Sequence, residues 1–284
     1  MRFASCRRGG EEFAAVIEND LAIPVDGVAE LGEHSPIDLL SNPPLLRDKA
    51  VPVAEVELRP VIPHPGKIIC VGLNYLSHVG ETGRDLPVYP VLFTKFSEAL
   101  VGPTDPIVLP RESQQVDFEA ELAVIIGRAG RRIPVDRALE HVAGYSVAND
   151  VTMRDYQYKT HQWLQGKSWE SSTPLGPWLV TSDEVGDPQS LSLNLSINGE
   201  QMQSSGTDLM IFDVATLISH ISEFVTLSVG DVLLSGTPGG VGFRRDPQVF
   251  LRDGDVVRAE IVGVGEIENR VVSEHGLPIP EATT

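Results

Sequence analysis

One stretch of this 284-residue chain, MIFDVATLISHISEF, repeats its apolar residues at helical spacing, and it stands against a series of short apolar runs bounded by turn residues. KIICVGLNY, DFEAELAVIIG, HVAGYSVANDV, LSLNLSING and SVGDVLLSGTP each read as a strand, and DVVRAEIVGVGEIENRVV reads as a pair of strands around Gly263 to Gly265. LSLNLSING turns at Asn198-Gly199 into a hairpin, and Asp213 is placed to cap the helix. Strands outnumber helices and do not alternate with them, which argues against a doubly wound parallel sheet. The expected fold class is mainly β with few helices.

Residues 1–60 read as a small N-terminal module: AAVIEND is a strand entering a turn, and IDLLSNPPLLRD is a helical turn broken by Pro43-Pro44. Pro60, Pro63 and Pro65 place a boundary there, giving a main domain over 61–275 and a tail over 276–284. No apolar run approaches the length of a membrane span, and the N-terminus lacks the apolar core of a signal peptide. Cys6 and Cys70 are too few for a disulfide framework or a thiolate metal cluster, so a reducing, cytoplasmic setting is expected. Walker A, GxGxxG, HExxH and GxSxG patterns are absent.

Four clusters could carry chemistry. Glu119 and Glu121, two apart in an apolar strand, face the same way. They are either negative charges guarding an exposed edge or ligands of a cation. Asp150, ending the next apolar segment, supplies the third carboxylate of an all-oxygen divalent site suited to Mg2+, Mn2+ or Ca2+. His78 and Glu81, three apart among glycines (Gly72, Gly80, Gly83), are a surface pair or a general base with its orienting carboxylate. Lys95, Arg154 and Lys167 are the cations; the two lysines, set among apolar neighbours, either snorkel to water or need a buried anion. SGTPGGVG is a simple turn or a cradle of backbone amides with the Thr237 hydroxyl.

In order, VGLNYLSHVGE, LFTKFSEALVGP, DFEAELAVIIG, GYSVANDVTMRDYQ, GKSWESSTPLGP and SGTPGGVG resemble the fumarylacetoacetate hydrolase family over residues 60–272. The resemblance implies a mixed β-sandwich or β-roll, usually homodimeric, with a Mg2+ or Mn2+ site. By position, Glu119, Glu121 and Asp150 match the metal ligands, and His78 and Glu81 match a loop dyad acting on water. Lys95, Arg154, Gln157, Lys167 and Thr237 match positions around the bound keto acid, Lys167 among the catalytic groups. His161 stands where some members carry a tyrosine, and the short N-terminal module is like that of bacterial members acting on acylpyruvates and on 2-hydroxyhepta-2,4-diene-1,7-dioate. The implied reaction is hydrolysis of a carbon–carbon bond in a 2,4-diketo acid, releasing pyruvate. Isomerisation, oxaloacetate-type decarboxylation or lysis at the same site, and a non-catalytic keto-acid binding protein, are the alternatives.

Charge bears on the partner. A net charge of -18 and a pI near 4.7 argue against nucleic acid and anionic membrane as partners. Residues 61–170 are nearly balanced, with 11 basic and 13 acidic side chains, three of the acids being the expected ligands. A divalent ion there would let the site favour a small anionic 2-keto acid, which the metal-free protein should bind poorly.

Overall fold

The computed structural model describes residues 1–82 and 85–274. Gly83 and the expected tail at 276–284 lie outside the described residues. The strands used below are β1 (Arg2–Arg8), β2 (Glu11–Glu18), β3 (Leu21–Pro24), β4 (Val51–Pro52), β5 (Ile68–Gly72), β6 (Val91–Lys95) and β7 (Ala120–Ile126). They continue with β8 (Val142–Asn149), β9 (Thr173–Thr181), β10 (Ser192–Ile197), β11 (Glu200–Gly206), β12 (Val232–Leu234), β13 (Val256–Ile261) and β14 (Gly265–Ser273). A twelve-stranded mixed sheet runs β4-β3-β2-β1-β9-β8-β7-β12-β5-β6, with Glu57–Leu58 added beside β1 and Leu100–Val101 beside β9, and a five-stranded sheet runs β11-β10-β13-β14 and then Ile107–Leu109. The mainly β expectation is met, and the two sheets pack as a sandwich.

The packing follows from the period of two along each strand. Leu122, Val124 and Ile126 of β7 face a core shared with Leu193 and Leu195 of β10, Val257 and Ala259 of β13, and Val214, Ile218 and Ile221 of the helix Val214–Phe224. Ala123 and Ile125 face a second core with Ile68, Cys70, Leu175, Val232 and Leu234. A strand covered on both faces reads as an unbroken apolar run, which explains why ELAVII does not alternate.

Local chemistry sets the helix start and the hairpin. Asn198 and Gly199 both take positive φ (50° and 83°), the pair of left-handed residues that a two-residue hairpin between β10 and β11 demands. Asp213 accepts a hydrogen bond from the Thr216 amide at 2.7 Å, closing the helix N-terminus.

Residues 1–60 do not form a sheet of their own. β1 pairs antiparallel with β9, so the N-terminal strands extend the main sheet, and Phe3, Ala14 and Val16 join its second core. Cys6 and Cys70 are both free and buried. Among the described residues, no helix is long and apolar enough to cross a membrane.

Candidate active site

Antiparallel pairing of β7 with β8 puts Ala120 opposite Asn149, so the start of one strand and the end of the other share one end of the sheet. Glu121 is the second residue of β7, Glu119 stands one residue before it, and Asp150 follows β8 directly. The Asp150 amide donates to the Glu119 carbonyl at 2.8 Å, and the Glu119 amide donates to the Asn149 side chain at 2.9 Å. Glu119 thus lies in a break between Val116–Asp117 and β7 rather than inside one continuous strand, yet the alternation survives the break. Oxygens of Glu119, Glu121 and Asp150 lie within 4.8 Å of one another. All three residues are buried and β7 has a neighbour on each side, so an exposed edge strand is ruled out.

Three cations converge on these acids. Lys167 Nζ, at the end of the short helix Leu164–Lys167, donates to Glu119 Oε2 and Asp150 Oδ2, both at 2.7 Å. Lys95 Nζ donates to Asp150 Oδ1 at 2.6 Å and to the Val151 carbonyl at 3.0 Å. Arg154, opening the turn of helix Arg154–Gln157, donates to Asp117 at 2.8 Å, Glu119 at 2.6 Å and Gln157 Oε1 at 2.9 Å. Each lysine is therefore a buried, fully paired ammonium and not a snorkelling one.

The charges do not quite cancel. Asp117, Glu119, Glu121 and Asp150 face Lys95, Arg154 and Lys167, and among the described residues no cation lies within ion-pair distance of Glu121. Burial would raise the Glu119 carboxyl, but Lys167 and Arg154 outweigh it and hold the group down to about 2. Glu121 goes the other way: burial, then Asp150 and Glu119, push its carboxyl well above the usual range, against the opposing pull of Lys167 and the Gly236 amide. Burial would lower the Lys167 ammonium, but Asp150 and Glu119 more than restore it, and it keeps its proton.

This donor set fits a hard divalent cation. It offers carboxylate oxygens alone, one of the carboxylates lacks a cationic partner, and each oxygen bonded to an ammonium retains a second lone pair. With the ion in place of the Glu121 proton, the cluster changes from neutral to one net positive charge, which suits an anionic ligand.

The glycine loop supplies the remaining wall. Gly236, at φ 99°, aims its amide at Glu121 Oε2 (2.7 Å), and a Cβ there would meet Asn74 Cβ at 2.8 Å. The Thr237 hydroxyl donates to the Ala120 carbonyl at 3.0 Å and accepts from Gln203 Nε2 at 2.8 Å. His78 and Glu81 occupy the helix Leu76–Thr82, one turn apart, where a loop is expected from the sequence. His78 Nδ1 stands 3.6 Å from Glu81 Oε2 and has no hydrogen-bond partner, while Glu81 Oε1 accepts the Gly240 amide at 2.7 Å. Burial tends to raise Glu81, but His78 and the Gly240 amide prevail and its carboxyl lies below the usual range.

A narrow cleft, about 30 Å³ inside, is lined by His78, Glu119, Arg154, Gln157, Lys167 and Thr237 and walled by Phe93, Trp163 and Phe243. Lys95 is not among the lining residues, and neither are Glu121 and Asp150; its ammonium is bonded to Asp150 and to the Val151 carbonyl. Sequence reasoning missed Asp117, Gln203 and Asn149. Asp117 continues the two-residue spacing of Glu119 and Glu121, a signal that was available. Gln203 lies on β11, which carries no local mark of the site, yet its side chain accepts from the Ala120 amide at 3.0 Å and holds Thr237.

Comparison with known proteins agrees with this picture. The model of the fumarylacetoacetate (FAA) hydrolase C-terminal domain matches residues 67–272, a span that contains every site residue above. An oxaloacetate tautomerase of Xenopus laevis, named as mitochondrial, is 49% identical over 221 residues, covering 77% of this chain and 69% of that protein. The crystal structure of 5-carboxymethyl-2-hydroxymuconate delta-isomerase from Mycobacterium smegmatis superposes with a TM-score of 0.83 at 35% identity, over 96% of this chain and 100% of the other. That of 2-hydroxyhepta-2,4-diene-1,7-dioate isomerase from Mycobacterium marinum gives a TM-score of 0.82 at 33% identity, over 96% and 99%. Sequence match, sheet architecture and acidic site coincide on the same residues, and the chain belongs to the fumarylacetoacetate hydrolase family.

Proposed function

We propose that this protein moves a proton on the carbon next to the carbonyl of a short 2-keto acid, interconverting keto and enol forms, with oxaloacetate-type acids as first candidates. The observation that carries the reading is His78, the only imidazole lining the cleft among the described residues, with Nδ1 unpartnered and Glu81 beside it. The three comparison proteins support it, since each is named for a tautomerisation or isomerisation. The hydrolysis expected from the family resemblance would use the same dyad to take a proton from water, and it takes second place.

A divalent ion (Mg2+ or Mn2+, with Ca2+ as a weaker candidate) held by Glu119, Glu121 and Asp150 would supply a Lewis acid for the carbonyl and carboxylate oxygens. The chain's own groups do the rest. His78 takes the proton from carbon and returns it to the other position, and Glu81 orients the ring and stabilises its protonated form. The electron pair moves onto the carbonyl oxygen, where the Lys167 ammonium stabilises the growing charge. Phe93, Trp163 and Phe243 exclude water from the reacting carbon. We infer further a homodimer in a reducing compartment, with neither nucleic acid nor membrane as partner.

The test is product analysis with Mg2+ on two panels, enol oxaloacetate and a set of acylpyruvates. Ketonisation without loss of carbon is the expected outcome, and His78→Ala should slow it by roughly 10²–10⁴-fold while leaving metal affinity unchanged. Release of pyruvate from an acylpyruvate at a higher kcat/KM would return the reading to hydrolysis.

A further inference from the structure

Arg244 and Arg245 are adjacent, and the fold employs them in opposite ways. Arg245 is a strut: its Nε donates to the Gly240 carbonyl at 3.0 Å and a terminal nitrogen donates to the Met202 carbonyl at 2.5 Å. Arg244 lines the catalytic cleft from its exposed mouth, and its guanidinium pairs with no carboxylate among the described residues. Its guanidinium carbon lies 5.1 Å from the centroid of the Phe243 ring, and that of Arg154 lies 5.9 Å from the same centroid. Phe243 thus stands near two guanidiniums that line the cleft, the buried Arg154 committed to carboxylates and the exposed Arg244 without one among the described residues.

Asp117 holds the two in register. Its Oδ1 accepts the Gly242 amide at 2.8 Å, and its Oδ2 accepts the Phe243 amide at 3.1 Å and Arg154 Nε at 2.8 Å. The turn bearing Arg244 is therefore fastened to the catalytic core by a buried carboxylate, while the side chain reaches outward. Inside, Lys95, Arg154 and Lys167 are all committed to carboxylates. Among the described residues that line the cleft, a second negative group on a ligand finds its unshared cation at the mouth.

We propose that Arg244 selects the far end of the substrate, receiving the second carboxylate of a short dicarboxylic 2-keto acid whose keto-acid end lies at the acidic triad and Lys167. The assignment rests on the proton-transfer reading and narrows its substrate class. A guanidinium grips a carboxylate through two parallel hydrogen bonds, and stacking on Phe243 limits the conformations that binding must freeze.

The experiment compares Arg244→Ala, Arg244→Lys and the parent with Mg2+ present. Calorimetry uses two acids without an exchangeable proton, 3,3-difluoro-oxaloacetate and 3,3-dimethyl-2-oxobutanoate, and proton exchange in D2O uses oxaloacetate and 2-oxobutanoate. Arg244→Ala is expected to weaken the dicarboxylate roughly ten- to a hundredfold, leave the monocarboxylate unchanged, and raise KM for oxaloacetate with little change in kcat. Arg244→Lys should recover part of the loss, and thermal unfolding of both variants should match the parent. An equal loss for both acids, or undiminished dicarboxylate affinity, overturns the assignment. Binding selectivity without proton exchange in the parent would sink the proton-transfer reading and leave Arg244 in place, and a parent that binds neither acid would sink both.

Discussion

The floor of the cleft and its mouth are built on opposite terms. On the floor, Lys167, Lys95 and Arg154 spend their donors on Glu119, Asp150, Asp117, Gln157 and the Val151 carbonyl, and every one of these side chains is buried. At the mouth, Glu81 is a third exposed and Arg244 is exposed with no carboxylate partner among the described residues, while the unpartnered His78 Nδ1 lies buried between mouth and floor. An unpaired charge is tolerable where water can reach it and costly where water cannot. The floor must therefore be satisfied before any ligand arrives. A guanidinium that grips a ligand can be left without a carboxylate because it stands near solvent.

The largest break in this contrast should come from the floor. Glu121→Ala should abolish metal binding, read by calorimetry with Mn2+, together with turnover, while thermal stability falls little, because Glu121 has no cationic partner to strand. Lys167→Met should do the reverse damage to the fold, costing about 3 kcal/mol by denaturant titration, because Glu119 keeps Arg154 and Asp150 keeps Lys95 but the ammonium that bridges the two carboxylates is lost. Equal stability for the two variants would contradict the division of roles.

A subtler effect concerns pH. Burial with Asp150 and Glu119 nearby raises the Glu121 carboxyl, so the metal-free floor keeps a proton that an incoming divalent ion must displace. Below that raised value the proton competes with the ion, and affinity should fall as pH falls, by up to about tenfold per unit. Metal titrations at several pH values check the sign, and a flat profile would show that no proton leaves. The smallest expected effect lies away from the cleft. Asp213→Ala removes the helix cap and should cost about 1 kcal/mol with unaltered kcat.

Much of the site is legible along the chain because its residues mark their own elements. Glu119 and Glu121 sit two apart at the mouth of an apolar run, and Asp150 closes the next run. His78 and Glu81 keep one-turn spacing, which the helix Leu76–Thr82 realises. Lys95 shows where this kind of reading stops: its apolar setting announces a buried ammonium but not its partners, Asp150 and the Val151 carbonyl. The joining of β1 to β9 is likewise silent in residues 1–60, since an edge strand carries no mark of its neighbour.

Turn chemistry and periodicity act over a few residues. The hairpin at Asn198-Gly199, the cap at Asp213 and the doubly covered strand β7 are therefore properties of the chain itself. The site's electrostatics depend on groups far apart in sequence. The Gly236 amide reaches Glu121 across 115 residues, Gln203 reaches Thr237 across 34, and Asp117 binds the Gly242 amide across 125. Which of two neighbouring arginines is a strut and which is free depends on carbonyls at Gly240 and Met202. Charge pairing falls off with distance in space, not along the chain. Folding had to bring these groups together before any of them had a role.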